Sequence, residues 1–388
     1  MENLVIKPID EKSFEGFRRV SASSFIWSLV PGEDGDRPPQ PYYGAFADGK
    51  PIAVLELFEK NISFCGKVLP AVGIGGVAAL PEYRRCGAVR ALFREMEKIM
   101  PEQGRSIGFL YPFSVAYYEK FGYALVNHPF TLTADFHDMQ KFDRCCDVTL
   151  YEGENTDELL EVYNRCAKAY HLMPLRETAD LFSKDPLKDC RYTYLHRTAG
   201  KADGVVTFTV NRAERNLTVS DLLFENKTAL YGLLGFLRNY DGIADKLTLE
   251  NVPLRSPIAA VFENVASTHL AGCHGVAARI YNIKTVLEHN TYPLSDGSFS
   301  FRCTDTVDAN NGIFHVTYQN GKATEIRKTE DGECDLSLSA CAAARLLLGS
   351  DNEGIRSAMY TDGVEIFNPN TSFFAAFPNR LTNFTDPF

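Results

Sequence analysis

The sequence predicts a mixed α/β or α+β chain of two or three domains, and three observations carry that reading. Strands and an amphipathic helix alternate over the first third. A similar rhythm restarts near Asp147, and the last third changes to alternating strands with one small-residue helix. The 388 residues suit two or three domains at ~100–200 residues each. With 45% hydrophobic and 23% charged residues the chain can bury a large core, which excludes disordered, collagenous and coiled-coil classes.

The elements follow in order. LVIKPI (Leu4–Ile9) alternates like a strand. Asp10, Glu11 and Ser13 then offer cap-type residues to a helix carrying Phe14, Phe17 and Val20 on one face. After a Gly/Pro-rich stretch from Pro31 to Pro41, three strands are expected, turning at Asp48-Gly49-Lys50 and Cys65-Gly66-Lys67. Val89, Leu92, Phe93, Met96, Ile99 and Met100 then recur at helical spacing, opposite Arg90, Arg94, Glu95, Glu97 and Lys98. A strand at Ser106–Tyr111, a short helix at Ser114–Lys120 and another strand close the first third.

From Asp147 the order repeats. DELLEVYNRCAKAYHL reads as a helix; RYTYLHR, GVVTFTVNR and NLTVSDLLF as strands; KTALYGLLGFLRNYD as a helix; and DKLTLENVP as a strand. The echo suggests a duplicated domain. In the last third FSFRCTDTV, GIFHVTYQNG and KATEIRKT alternate as strands. SLSACAAARLLLGS reads as a helix stopping at Gly349, a C′-type glycine. The tail TSFFAAFPNRLTNFTDPF is aromatic and low in charge. Termini are usually polar and frayed, so an apolar tail ending on Phe388 is expected to dock on the body.

Forty Lys+Arg against fifty Asp+Glu give −10, which argues against nucleic acid and suits a cationic partner. The ten cysteines form no CxxC pair, and neither they nor the eight histidines show metal-ligand spacing. No metal is expected, and the cysteines read as reduced cytosolic thiols. The N-terminus lacks an apolar signal core, and no run approaches the ~18 apolar residues of a membrane span. A soluble, cytoplasmic protein is expected. No GxSxG elbow is present.

Gly76–Met100 carries the chemistry. A strand ending in small residues meets a basic, Gly-containing turn and then a helix. The free N–H groups of a first helical turn and the helix dipole form an anion seat. Gly87 permits close backbone approach, and Arg84, Arg85 and Arg90 add charge suited to a pyrophosphate. An ordinary strand–turn–helix is the alternative on composition alone.

Arg84-Arg85-Cys86-Gly87-Ala88-Val89 resembles the acetyl-CoA-binding signature of GNAT-type N-acetyltransferases, Gln/Arg-x-x-Gly-x-Gly/Ala. Val89 departs from the small last residue, as aliphatic residues do in the Eis-like (enhanced intracellular survival) branch. Tyr111–Tyr123 resembles that branch's Tyr-x-x-Phe-Gly-Tyr segment. Val276-Ala277-Ala278-Arg279-Ile280 resembles the Met-Ala-Arg-Ile/Val junction before its third domain. LSLSACAAARLLLG resembles the helix of its sterol-carrier-type domain. The likeness spans nearly the whole chain and is weakest in the middle third.

That resemblance implies an α+β fold of two tandem GNAT-like domains with central mixed sheets, then a sterol-carrier-protein-like α/β domain. The divisions fall at 1–146, 147–286 and 287–388. It implies acetyl-CoA as cosubstrate, its pantetheine along Val77, Ala78 and Ala79 and its pyrophosphate at Arg84 to Arg90. Phe113 and Ser114, heading the Tyr111–Tyr123 segment, join the cofactor set. Tyr118, three residues before Phe121-Gly122-Tyr123, is the implied general acid. The Phe388 carboxylate is the implied base, and Trp27 is implied in the acceptor pocket beside acidic Glu33, Asp34 and Asp36. The second copy, with FENKTALYGLLGFL and no Arg-x-x-Gly, is expected to be a degenerate relic without cofactor. The implied acceptor is an amine on a cationic small molecule, with aminoglycosides the first candidates, in a hexamer-forming family. A peptide or protein lysine acceptor stays open, as does a non-catalytic protein that binds acyl-CoA or lipid. The turn combined with Tyr118 and a terminal Phe favours the enzyme.

Overall fold

The computed structural model describes residues 4–26, 41–253, 255–262, 266–349 and 353–388. The first region supplies β1 (Val5–Pro8), α1 (Phe14–Phe25), β2 (Tyr42–Ala47), β3 (Lys50–Phe64), β4 (Lys67–Ala79), α2 (Ala88–Glu102), β5 (Ile107–Leu110), α3 (Val115–Tyr118) and β6 (Ala124–Leu125). Both expected hairpin turns are present. Asp48 and Gly49 stand at φ +49° and +76°, Cys65 and Gly66 at +52° and +77°. Two successive positive φ angles give the turn whose twist matches that of the strands it joins. The apolar stripe of α2 buries Leu92, Phe93, Met96 and Met100 on one face of the sheet. On the other face α1 packs Phe17 and Val20 against Val54 and Ala78.

The second region supplies β7 (Pro129–Asp135), β8 (Val148–Leu150), α4 (Thr156–Ala167), β9 (Pro174–Leu175), α5 (Pro186–Asp189), β10 (Arg191–Thr198), β11 (Lys201–Asn211), β12 (Asn216–Phe224), α6 (Lys227–Leu237), β13 (Lys246–Pro253), α7 (Pro257–Val261), β14 (Thr268–Gly272) and β15 (Ala277–Ile280). Strands pass between the two sheets across the division expected at 146/147. β7 lies in the second sheet, ordered β14-β7-β13-β12-β11-β10-β8. β15 lies in the first, ordered β1-β2-β3-β4-β5-β15-β6, with β9 added to β3. β15 pairs antiparallel with both β5 and β6, so four residues from far along the chain complete the first sheet.

The third region supplies α8 (Ile283–His289), β16 (Gly297–Thr304), β17 (Gly312–Gln319), β18 (Lys322–Thr329), β19 (Leu336–Ser339), α9 (Ala340–Leu348), α10 (Ile355–Ala358), β20 (Val364–Ile366) and α11 (Thr371–Ala376). Two sequence readings change here. Leu336–Ser339 is a strand parallel to β16, and the helix starts only at Ala340, where the Ser339 side chain accepts from the Ala342 N–H. Gly349 follows the helix as expected, but in extended backbone at φ −74°. It is needed because a Cβ there would strike the Arg345 carbonyl, not for left-handed backbone. The core of this region is continuous with the first sheet. Phe299, Phe301 and Phe373 share one cluster with Ile62, Ala71 and Phe109.

After α11 the tail runs back across the molecule. The His171 N–H donates to Leu381 O (2.8 Å), and the Asn383 N–H donates to His171 O (3.0 Å). The tail is thereby sewn to a segment that also bonds Ser63 at the end of β3.

Candidate active site

β4 and β5 run parallel and pair at only three positions, Ala71–Ile107, Val72–Gly108 and Gly73–Phe109. Beyond Gly73 they part. An extra residue in β4 at Gly76–Val77, opposite Leu55, bends the strand there, with Gly76 at φ +57°. Such bulges increase local twist and re-aim the backbone. The edge of β4 carrying Val77, Ala78 and Ala79 therefore opens away from β5. One carbonyl on it is already satisfied, since Ser24 Oγ donates to Ala79 O (3.0 Å).

The edge leads into the basic turn. Arg85 (φ +64°) and Gly87 (φ +92°) both take left-handed backbone. Gly87 caps α2 with no side-chain acceptor at that end. The N–H groups of Gly87, Ala88, Val89 and Arg90 have no acceptor among the described residues, and Arg84, Arg85 and Arg90 are exposed without ion pairs among them. Free donors, a helix dipole and three cations make an anion seat here. Cys86 and Val89 are half-buried and Ala88 is buried, which anchors the turn on the α2 stripe. Forcing a branched side chain into left-handed backbone costs roughly 1–2 kcal/mol. Gly87→Val is accordingly expected to lower the melting temperature by a few degrees and to weaken anion binding at this turn, both measured by calorimetry.

On the other arm, Ser114 precedes α3 and Tyr118 ends it. Tyr118 is 4% exposed, with ring centroids 5.2 Å from Tyr117, 5.4 Å from Phe113 and 6.0 Å from Phe93. Burial, and secondly Tyr117, raise its pKa above the ordinary phenol value. The group therefore stays protonated, which suits a proton donor. Phe113 is 76% exposed at the rim of this arm.

Phe388 lies on β4 where the two arms part. Its ring sits 5.2 Å from Tyr111, 5.8 Å from Phe58 and 5.8 Å from Phe384. A Cβ at Gly73 would stand 2.8 Å from the Phe388 ring, and one at Gly75 3.3 Å from its carboxyl carbon. The two glycines are needed for space at this point. The terminal carboxylate thus rests two residues past the last β4–β5 pair.

Glu56 is the acidic residue that the sequence reading missed. It faces the same side of the sheet as Val54 and Phe58, between the patch covered by α1 and the patch covered by Phe388. A Cβ at Gly76 would stand 2.7 Å from its Oε1, so consecutive glycines of β4 carry the Phe388 and Glu56 carboxyl groups. Burial raises the Glu56 pKa, and no hydrogen bond or ion pair holds it among the described residues. The trace in the sequence is one carboxylate inside the otherwise apolar run Ile52–Phe58. Trp27 and the acidic Glu33, Asp34 and Asp36 lie outside the described residues.

Among the described residues no group of three or more His, Cys, Asp or Glu could hold a metal, and no helix is long and apolar enough to cross a membrane. All ten cysteines are unpaired.

Residues 5–126 match a family model described as an acetyltransferase (GNAT) domain. Residues 163–280 match a second of the same description, and residues 283–352 match a sterol carrier protein domain. The α+β fold is therefore two tandem GNAT domains followed by a sterol-carrier-protein-like domain. Among solved structures, a probable N-acyltransferase from Enterococcus faecalis V583 superposes with a TM-score of 0.85 at 18% identity, over 100% of both chains. A GCN5-related N-acetyltransferase from Anabaena variabilis gives 0.84 at 20% identity, again over 100% of both. Eis1 from Mycobacterium abscessus gives 0.77 at 17% identity, over 99% of this chain and 98% of that one. No curated protein matches the sequence.

Proposed function

We propose that this chain, a GNAT-type N-acetyltransferase using acetyl-CoA as cosubstrate, acts in the Eis-like manner on an amine of a cationic small molecule, with aminoglycosides the first candidates. One observation carries the reading: the Phe388 carboxylate rests on Gly75, where β4 and β5 part.

In this reaction the pantetheine lies along Val77–Ala79 and the pyrophosphate at the α2 turn. The acceptor nitrogen attacks the thioester carbonyl carbon, forming the C–N bond as the C–S bond breaks. The Phe388 carboxylate accepts the proton lost by the amine. N–H groups on the open edge of β4 polarise the carbonyl oxygen, and the Tyr118 phenol protonates the departing thiolate. Each proton transfer of this kind contributes about 10²–10⁴-fold. A carboxylate in water has pKa ~3.3–3.7 and is a weak base at pH 7. The rings of Phe58, Tyr111 and Phe384 hold the Phe388 side chain, so the carboxylate acts from a fixed position.

The test is thiol release from acetyl-CoA with a panel of aminoglycosides, linear polyamines and lysine peptides. Turnover with the polycations supports the reading. Turnover with lysine peptides alone would move the acceptor class, and tight acetyl-CoA binding without turnover on any amine would overturn it. Glu56 extends the prediction, because its buried carboxylate, which has no partner among the described residues, adds a second acceptor for ammonium N–H groups. Glu56→Gln is expected to raise the acceptor KM about tenfold or more, the scale of one charge-assisted bond at ~1.5–3 kcal/mol. Its kcat and acetyl-CoA affinity should change little; an unchanged acceptor KM would remove Glu56 from the site.

We read the enzyme as cytoplasmic and homo-oligomeric, with a hexamer expected by resemblance. Met359, Tyr360 and Phe367 expose apolar surface on the third domain that suits self-association. Sedimentation equilibrium measures the mass.

A further inference from the structure

The second GNAT domain repeats the geometry of the first at its own centre. β12 and β13 run parallel and pair from Asn216–Lys246 to Val219–Leu249, then part. An extra residue at Ser220 of β12 disturbs its pairing with β11, as the bulge in β4 disturbs its pairing with β3. Each of these strands leads into a helix, α2 in one domain and α6 in the other.

What occupies the two openings differs. At α6 the residue before the helix is Asn226, whose side chain accepts from the Ala229 N–H (2.9 Å), so a donor that is free at α2 is used here. The opening between β12 and β13 is lined by Ser220, Asp221 and Asn251 together with Asn383 and Thr385 of the tail, which leaves only a small void. Beside it lies Arg176, just after β9. Its backbone is held in both directions by the Asn164 side chain, at 2.8 and 2.9 Å. Its guanidinium stacks 4.0 Å over Tyr163 and 4.6 Å over Phe182. It bonds Asp386 at 2.9 and 3.1 Å and Asp221 at 3.3 Å, with all three side chains 5% exposed or less. Lys60 of β3 lies 3.6 Å from the other Asp386 oxygen, and the Tyr111 hydroxyl donates to Asp386 O. Asp386 is two residues from the terminal carboxylate.

We infer that the second GNAT domain has turned its cofactor opening into a socket for the C-terminal tail, with Arg176 as the positioning residue that sets the Phe388 carboxylate on Gly75. The inference rests on the role of that carboxylate in the proposed function. Half-satisfied buried carboxylates are costly, so Asp386 and Asp221 are bound to the fixed guanidinium. The two-residue reach from Asp386 to Phe388 then passes that fixed position to the active site. The domain needs no cofactor of its own to serve catalysis this way.

The test uses the full chain as Arg176→Met and Asp386→Asn proteins, with a C-terminally extended protein as reference. Four quantities are read: kcat, acetyl-CoA affinity and stoichiometry by calorimetry, and the rate at which carboxypeptidase Y, which cleaves after a penultimate proline such as Pro387, releases Phe388. The socket predicts one acetyl-CoA per chain. In both variants kcat should fall 30-fold or more, acetyl-CoA affinity should stay within twofold, and Phe388 should be released faster. If Arg176→Met does not fold, Asp386→Asn carries the test alone, because it keeps the side-chain shape and leaves Arg176 paired with Asp221. Two acetyl-CoA per chain, or an Asp386→Asn protein with full kcat and a protected Phe388, would overturn the inference. A fall in acetyl-CoA affinity matching the fall in kcat would also overturn it. A normal rate in the extended protein removes the carboxylate's role itself; an inactive extended protein beside a normal Asp386→Asn protein removes only the socket.

Discussion

Amidating Phe388, or adding residues after it, is expected to lower kcat by about 10²–10⁴-fold while acetyl-CoA affinity stays within twofold of wild type. The separation follows from geometry. The cofactor's expected contacts are the open edge of β4 and the α2 turn, whereas the terminal carboxylate lies over Gly75 on the sheet face. Amidation leaves the ring bed of Phe58, Tyr111 and Phe384 in place and removes only the charge and the basic oxygen. Extension also forces chain into the acceptor's space, so its effect should be at least as large. Phe388→Leu keeps the carboxylate with a smaller side chain and should retain more activity than either. Steady-state thiol release decides the matter, and an amidated protein with an unchanged rate would refute the assignment.

The parts of this site that were legible in the sequence are those built by neighbours in the chain. Asp48-Gly49 and Cys65-Gly66 specify their turns through positive φ, the α2 stripe specifies a buried helix face, and Gly87 specifies an open helix start. The docking of the tail was readable because an apolar terminus has to be covered. Where it docks was not, since Arg176 and Asp386 are 210 positions apart and neither has a local pattern. β15 escaped for the same reason: four residues say nothing of the partners that flank them in a distant sheet. Gly73 and Gly75 read as small strand residues; the ring of Phe388 explains why Gly73 lacks a side chain, and the ring of Phe58 with the Phe388 carboxyl group explains Gly75. The sequence of Leu336–Ser339 merges with the following helix because Ser and Leu fit either element; its pairing with β16 decides for a strand. Glu56 is different in kind. Its position inside an apolar run was visible, but its meaning depends on the gap between α1 and the tail.

Tyr118→Phe is expected to reduce kcat by about 10²–10⁴-fold, again with little change in acetyl-CoA affinity. The ring is retained, and with it the contacts to Phe93, Phe113, Tyr117 and Phe121, so stability should hold. Only the proton for the departing thiolate is lost. A thiol of pKa ~8.5 is a poor leaving group compared with a more acidic one, so the deficit should shrink with an acetyl thioester of an aryl thiol. That dependence on the leaving group separates an acid from a packing aromatic, which would give the same deficit with every thioester. The pH profile gives a second check with a fixed sign. Burial raises the Tyr118 pKa above the ordinary ~10, so the phenol keeps its proton across pH 6–10. Wild-type kcat should therefore show no alkaline fall from this group below pH 10. A fall with a midpoint near pH 9 that disappears in Tyr118→Phe would mean that the phenol ionises in the working range, and the role of acid would pass to another residue.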